Sequence, residues 1–175
     1  MILTGNGIKS EVQMGRIVIE PYSLDCIEPN SYRFHLGSKL MVYRTDIVDA
    51  YESNKDAQVE EIEIPPEGYV LQPRQFYLGH TKERMGSHSH ASELYARLST
   101  SLVGIFIQTS APLGHTGAII PWTLEIVTLL PVRVYANMPI GKICFWCNHG
   151  ELMSYAGRYK DSSSVVSSML SGENP

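Results

Sequence analysis

Glu125 is the only charged residue between positions 117 and 131, in one of the most apolar parts of the chain. It ends the sequence Trp122-Thr123-Leu124-Glu125, which lies between two apolar runs, residues 119–121 and 126–130. A carboxylate in a buried strand is costly unless it is paired, hydrogen-bonded or protonated. A carboxyl group kept there is suited to general acid/base catalysis. Alternatively, Glu125 points to solvent from an edge strand or pairs with an arginine.

Three consecutive hydroxyl residues, Ser99, Thr100 and Ser101, lie between Arg97 and an apolar run over residues 102–107. Hydroxyl and backbone N–H groups can surround phosphate oxygens, and a nearby guanidinium adds positive charge. This segment therefore predicts an anion cradle ahead of a strand. An ordinary turn rich in Ser and Thr is the alternative.

Two later segments could also contact a ligand. His115 lies in a Gly114–Gly117 turn, where it either faces Glu125 or is a simple loop histidine. Residues 157–168 have no core pattern and combine basic, aromatic and hydroxyl groups. They predict either a disordered terminus or a flexible lid that closes over a phosphate-bearing ligand and excludes water.

Two pairs of possible metal ligands are interpreted as structural. His88 and His90 would share one face of a strand, but no Asp, Glu or Cys stands nearby at ligand spacing. Cys144 and Cys147 would face opposite sides of a strand, and no second cysteine pair completes a zinc site. We therefore predict no metal site and assign both cysteines to packing.

The elements that must position these residues are mostly short strands. Thr4 and Gly15 are a plausible N-cap and stop for a helix on which Ile8 and Val12 share a face. Many short strands separated by Pro/Gly turns favour an all-β sandwich or barrel. We expect an acidic loop or hairpin over 46–63, a helical turn or strand over 91–97, and a turn over 139–141. The strands are predicted at residues 16–21, 32–36, 40–43, 69–73, 76–81, 102–107, 122–130, 132–135 and 142–147.

Composition narrows the class of protein. The chain has 175 residues, enough for one domain with a sizeable core, and we predict a β domain over 1–156 followed by a C-terminal lid over 157–175. A net charge of −4 argues against a nucleic-acid-binding protein. An odd number of cysteines, the lack of a signal peptide and the lack of a long apolar run predict a soluble cytoplasmic protein without membrane contact.

Six segments, in one order, carry a family resemblance. They are Gly15-Arg16-Ile17-Val18-Ile19-Glu20-Pro21; Pro29-Asn30-Ser31-Tyr32 with Leu36-Gly37; Arg97 with residues 99–104; Trp122-Thr123-Leu124-Glu125; Pro139-Ile140-Gly141-Lys142-Ile143; and Arg158-Tyr159 with Ser167. They resemble the motifs G-x-I-x-I-x-P, P-x-S-x-D-x-x-L-G, G-(R/K)-S-S-L-A-R-L-G, W-T-L-E, P-G-x-x-I and K-Y-x-x-Q…S-R of the dCTP deaminase branch of the trimeric dUTPase superfamily. Each is weak alone, but six in the family's order are specific for the fold.

The resemblance implies a dUTPase-like distorted jelly-roll that forms a homotrimer with active sites between subunits. It implies conversion of dCTP to dUTP and ammonia, with Glu125 activating a water for attack on C4 of cytosine. It implies no catalytic metal, with Mg²⁺ accompanying the triphosphate. The substrate-binding residues that it implies are Arg97, Ser99, Thr100, Ser101, Ala111, His115, Trp122, Thr123, Arg158, Tyr159, Lys160 and Ser167.

Five positions depart from the family motifs. Leu98 stands in place of the first motif Ser, Leu102 in place of an Arg that orients water and base, and Leu113 where another Arg often lies. Arg33 replaces an Asp, and Ser162 replaces a lid Gln. Loss of a buried arginine costs a few kcal/mol, on the order of a hundredfold in rate. Two alternatives to the deaminase follow: a catalytically impaired homologue that binds nucleotides and regulates, and a dUTPase-type pyrophosphatase.

Overall fold

The computed structural model describes residues 1–48, 58–107 and 111–169. These residues form an all-β domain with two helices and one short 3₁₀ turn, Leu24–Cys26. The helices are α1 (Gly5–Gln13) and α2 (Leu98–Leu102). The strands are β1 (Ile17–Glu20), β2 (Ile27–Glu28), β3 (Ser31–His35), β4 (Lys39–Tyr43), β5 (Val59–Glu63), β6 (Tyr69–Leu71), β7 (Tyr77–Ser87), β8 (His90–Ala96), β9 (Ile105–Ile107), β10 (Leu113–Gly114), β11 (Ile120–Thr128), β12 (Val132–Val134) and β13 (Pro139–Cys147).

Two large sheets enclose the core. One has the strand order β5-β4-β7-β11-β9, with β1 also paired to β7, and the other has the order β10-β8-β13-β3-β2. A separate ladder joins β12 to β6. Alternate apolar side chains of both sheets, such as Phe34, Leu124 and Phe145, are completely buried. None of the helices in the described ranges is long and apolar enough to cross a membrane.

The predicted N-terminal helix is present. The Thr4 hydroxyl accepts the Gly7 N–H at 3.2 Å, as expected of an N-cap. Ile8 is buried, and Gly15, with φ +71°, follows the helix end. The predicted acidic hairpin is present in part, because β4 pairs with β5. Its residues 49–57 lie outside the described residues.

Several predicted elements need correction. Residues 91–96 belong to strand β8, so the strand alternative is right for them, and Arg97 is the N-cap of α2. The turn predicted over 139–141 is wrong, because these residues begin β13. Pro139 fits the first position of a strand, where no ladder hydrogen bond is lost. A Cβ on Gly141 would lie 2.1 Å from the Phe34 ring, so this glycine serves close packing and not a turn.

The hydroxyl segment and the cysteines also differ from expectation. Ser99, Thr100 and Ser101 lie within α2, so the strand predicted from 102 begins only at Ile105. Cys144 is buried as predicted, but Cys147 is exposed on the opposite face, so its assignment to packing is wrong.

The histidine pair does not form a ligand set in the described part of the chain. His88 is exposed, whereas His90 is buried and lies 3.1 Å from both the Ser87 and Ser89 hydroxyls. Among the residues that the structure describes, no group of three or more His, Cys, Asp or Glu side chains could hold a metal ion.

A buried hydroxyl fixes strand β11 on β7. The ladder pairs Pro121 with Arg84 and then Thr123 with His80, so residues 81–83 of β7 stand opposite Trp122 alone. The Thr81 hydroxyl is fully buried, accepts the Trp122 N–H at 2.8 Å and donates to the Glu83 carbonyl at 2.7 Å. A side chain therefore replaces a ladder hydrogen bond where the register shifts.

Substituting Thr81→Val tests this replacement. Valine keeps the shape but leaves the Trp122 N–H buried without its acceptor, so the free energy of unfolding should fall by about 1–3 kcal/mol. Thr81→Ser keeps the hydroxyl and should cost less than Thr81→Val. Urea unfolding followed by tryptophan fluorescence measures both. An unchanged free energy of unfolding in Thr81→Val would show that the hydroxyl does not matter.

Candidate active site

A cavity of about 480 Å³ opens beside β11. Its walls come from β4 and β7, from the segment around β10, from β11 and from the C-terminal segment that follows β13. Among its described lining residues there is neither Lys nor Arg. The wall is largely aromatic and aliphatic, with a few hydroxyl groups, one histidine and one carboxylate. Such a surface suits a flat ring with a few polar edges.

Glu125 is the carboxylate in this wall. Its neighbours along the strand, Leu124 and Ile126, are completely buried, whereas Glu125 is half-buried. Its ladder partner, Leu78, also lines the cavity. Because successive side chains of a strand point to opposite faces, the two apolar neighbours lie in the core and the carboxylate faces the cavity.

The cavity lies along a stretch of β11 edge that no described strand covers. β9 pairs only with residues 126–128 of β11, and no described strand pairs with that edge from Ile120 to Glu125. β11 lies between β7 and β9 in the sheet order, so the alternative that placed Glu125 on an edge strand is wrong, and its side chain lines the cavity.

Contacts with neighbouring strands fix Trp122 and Thr123, two consecutive residues of β11. The Trp122 Nε1–H donates to the Met85 carbonyl at 2.9 Å, and a Cβ on Gly114 would lie 2.9 Å from the indole ring. The close approach of Gly114 thus allows the indole to lie flat against the backbone of β10. Thr123 lies opposite His80, and burial lowers the pKa of the His80 imidazole.

His115 and Tyr155 form one side of the cavity. Their rings stack with centroids 5.6 Å apart and planes 10° from parallel. The Tyr155 N–H donates to the Thr116 carbonyl at 2.8 Å, which ties the C-terminal segment to the turn after β10. His115 therefore belongs to the cavity wall, and the stacked tyrosine holds its ring.

The C-terminal segment crosses the cavity. The Val166 N–H donates to the Thr123 hydroxyl at 3.2 Å, and the Ser168 N–H donates to the Tyr43 hydroxyl at 3.1 Å. Val165 is buried, so the absence of a core pattern in this segment was misleading. In the described range up to residue 169, the segment is packed on the domain and covers the pocket.

The structure brings together seven of the sequence-predicted site residues and leaves six elsewhere. Those lining the cavity are Ala111, His115, Trp122, Thr123, Glu125, Tyr159 and Ser167. Those outside its lining are Arg97, Ser99, Thr100, Ser101, Arg158 and Lys160. Within one chain, the three hydroxyl residues do not converge on the cavity: Thr100 is buried, and the Ser101 hydroxyl bonds the Arg97 carbonyl at 3.3 Å.

Sequence reasoning missed several lining residues. Tyr155 precedes Tyr159 by four residues, and that aromatic spacing was a usable signal. Ser162 was noted only as a departure, yet its hydroxyl is buried in the cavity wall and has no hydrogen-bond partner among the described residues. Tyr43 and Phe76 carried no local signal, because only strand pairing brings them here.

Comparison with known proteins identifies the family of this chain. Residues 2–147 match the dCTP deaminase-like domain family. A "dCTP deaminase, dUMP-forming" of Hathewaya histolytica is 36% identical over 171 residues, covering 97% of each chain. A dCTP deaminase of Rhodopirellula baltica is 34% identical over 175 residues, covering 99% of this chain and 86% of that one.

A solved structure supports the fold. The crystal structure of 2′-deoxycytidine 5′-triphosphate deaminase from Agrobacterium tumefaciens superposes with a TM-score of 0.67 at 20% identity. The similarity covers 85% of this chain and 48% of that one, so this chain spans about half the length of that protein. The predicted all-β, jelly-roll-like fold is confirmed. The chain belongs to the dCTP deaminase-like family.

Proposed function

We propose that this chain deaminates dCTP, with Glu125 as the general acid/base. Membership of the family makes it a hydrolase that acts on a C–N bond. The observation that carries the proposal is a half-buried carboxylate in the wall of a ring-sized, mostly apolar cavity. The C-terminal segment lies over the cavity, and electrostatic interactions are stronger where such a cover excludes water.

The reaction assigned to Glu125 consumes one water molecule. The carboxylate takes a proton from the water as its oxygen attacks C4 of the cytosine ring. The same carboxyl gives that proton to N3 of the ring, then takes the remaining proton from the C4 hydroxyl and gives it to the amino nitrogen, and the C–N bond breaks to release ammonia. The ring retains the oxygen as a carbonyl, which is uracil. General acid/base assistance of this kind contributes about 10²–10⁴-fold in rate.

Recognition of the base is assigned to the side chains around the part of β11 that lines the cavity. The Trp122 and Tyr159 rings and the His115–Tyr155 stack provide flat contacts for the ring. The Ser162 hydroxyl provides a buried polar group that a ligand can satisfy. These contacts hold C4 near Glu125 and fix the ring orientation.

Phosphate binding is assigned to a neighbouring copy in a homotrimer, because the cavity wall has no described cation. Arg97 and the hydroxyls at 99–101 are placed in trans on this proposal, and Arg158 and Lys160 come from the segment over the cavity. A cluster of exposed apolar side chains supports association: Leu98, Leu102, Leu129 and Leu130 are 60–76% exposed. Sedimentation equilibrium should give about three times 19.6 kDa; a single-chain mass would contradict the trimer.

Magnesium is proposed to enter as part of the substrate, bound to the triphosphate, with no resident catalytic metal. A Mg²⁺ held mainly by phosphate oxygens and water needs few protein ligands. A cytoplasmic location and the absence of nucleic-acid and membrane partners stay predictions.

The product is proposed to be dUTP, with a second candidate favoured by the relatives. The Hathewaya histolytica protein and others at 34–36% identity are named dUMP-forming, which adds release of pyrophosphate to deamination. A catalytically impaired nucleotide-binding homologue, suggested by Leu98 and Leu102, and a dUTPase remain the further alternatives.

A product assay separates these functions. Purified protein is incubated with dCTP or dUTP, and ammonia, pyrophosphate and the change in base absorbance are followed. Ammonia with dUTP as product supports the main proposal, and ammonia with dUMP and pyrophosphate supports the second candidate. Pyrophosphate from added dUTP without ammonia from dCTP indicates a dUTPase. Nucleotide binding without any product indicates a binding protein and contradicts catalysis.

Substituting Tyr43→Phe tests whether closure of the C-terminal segment serves catalysis. The change removes the acceptor of the Ser168 N–H, a hydrogen bond worth about 0.5–1.5 kcal/mol. The KM for dCTP should therefore rise about two- to tenfold, because the closed form is less populated. Tyr135→Phe, at a half-exposed tyrosine outside the cavity wall, is the matched control. An unchanged KM in Tyr43→Phe would exclude a role for this contact.

A further inference from the structure

Two cationic side chains lie directly opposite each other on the second sheet. The ladder pairs Lys142 of β13 with Arg33 of β3 on one side and with Tyr95 of β8 on the other. The three residues therefore form one row across three strands. Like charges directly opposite on antiparallel strands have Cβ atoms roughly 5 Å apart and destabilise the sheet.

This row projects away from the core. Tyr32 and Phe34, on either side of Arg33, are buried, and Ile143, next to Lys142, is also buried. Because strand residues alternate in direction, Arg33 and Lys142 occupy the opposite face, where both are half-buried. They are thus close to each other and open to a ligand on one sheet face.

No described carboxylate pairs with either cation within ion-pair distance. An Arg33 Nη2–H donates to the Asp25 carbonyl, but the Arg33 Nε–H is buried without a hydrogen-bond partner in the described part of the chain. The carboxylate of Glu93 accepts the Tyr95 hydroxyl at 2.7 Å, and that of Glu28 accepts the Ser31 hydroxyl at 3.0 Å. The repulsion between the two cations is therefore not offset by a described ion pair.

The same end of this sheet also carries Arg97. It follows β8 directly, and its backbone N–H donates to the Ile140 carbonyl at 3.2 Å. The cavity, by contrast, offers no described cation to the several negative charges of a triphosphate. One surface of the chain thus has two cations without an ion pair among the described residues, and another has room for a base but no described cation to hold its phosphates.

We propose that Arg33 and Lys142 form a phosphate-binding site, next to Arg97, for the polyphosphate of the nucleotide. This inference rests on the proposed function and extends it to two residues that the motifs do not assign to phosphate. The guanidinium binds two phosphate oxygens side by side, and the ammonium acts as a point charge. An anion between them removes their repulsion. The copy that contributes Arg97 to a neighbour's cavity contributes this pair with it.

The test uses inorganic tripolyphosphate as the probe, titrated into the full chain by calorimetry. The double substitution Arg33→Ala with Lys142→Ala should weaken binding at least tenfold, whereas Arg33→Lys alone should weaken it less. Lys9→Ala, at an exposed lysine of α1, is the matched control and should bind as the wild type does. Because the two charges repel each other, the double variant should melt at the same temperature as the wild type or higher.

A kinetic comparison gives the second readout. The double variant should raise the KM for dCTP at least tenfold and leave that for deoxycytidine unchanged. Equal tripolyphosphate binding by variant and wild type, or no binding by the wild type, would overturn the site. A wild type that binds tripolyphosphate but releases no ammonia from dCTP would overturn the proposed function and leave the phosphate site standing.

Discussion

The hydrogen bond from the Trp122 N–H to the buried Thr81 hydroxyl is the contact on which the cavity depends. It lies where the β7–β11 register shifts, and Pro121, just before it, has no N–H of its own to offer the ladder. From this point β11 runs on with one edge paired to β7, and on its other edge the first pairing among the described residues is with β9 at residue 126. The indole and the carboxylate therefore both lie on the stretch of β11 that directly follows this irregularity.

The unusual position of Glu125 could be predicted from the sequence because the apolar residues around it are its neighbours in the chain. A charged residue between two buried neighbours on a strand has to enter a cavity or meet a partner, and Glu125 faces the cavity. The first helix could be predicted as well, because Thr4 is a typical N-cap residue and Gly15 a typical residue after a helix end. In these cases neighbouring residues carry the whole signal.

The rest of the site could not be predicted because distant strands assemble it. Tyr43 reaches the cavity through the pairing of β4 with β7, and no local pattern announces that. Pro139 and Gly141 have the residue types of a turn, yet tertiary packing against Phe34 makes them the start of a strand. The segment after β13 has no core pattern, but the buried Val165 and the hydrogen bonds of Val166 and Ser168 hold it on the domain. Long-range packing decides each of these positions.

The cavity lies on the first sheet, whereas the proposed phosphate-binding cations lie on the second. The proposed assembly brings the two together. The cavity on the first sheet is apolar around one acid, which favours a neutral ring over a polyanion. Arg33 and Lys142, which form no ion pair within the described ranges, lie on the second sheet, and strand β8 of that sheet leads into the short helix with exposed leucines. A nucleotide with a neutral base and a charged tail matches this arrangement when two copies meet.

The central claim is that the carboxylate at position 125 moves the proton during deamination, and the Glu125→Gln variant tests it most directly. Glutamine keeps the size of the side chain but cannot accept the proton of the attacking water. The account predicts that ammonia release from dCTP falls by about 10²–10⁴-fold, while the dissociation constant for dCTP changes less than about tenfold. Ammonia release within about tenfold of the wild-type rate would contradict it.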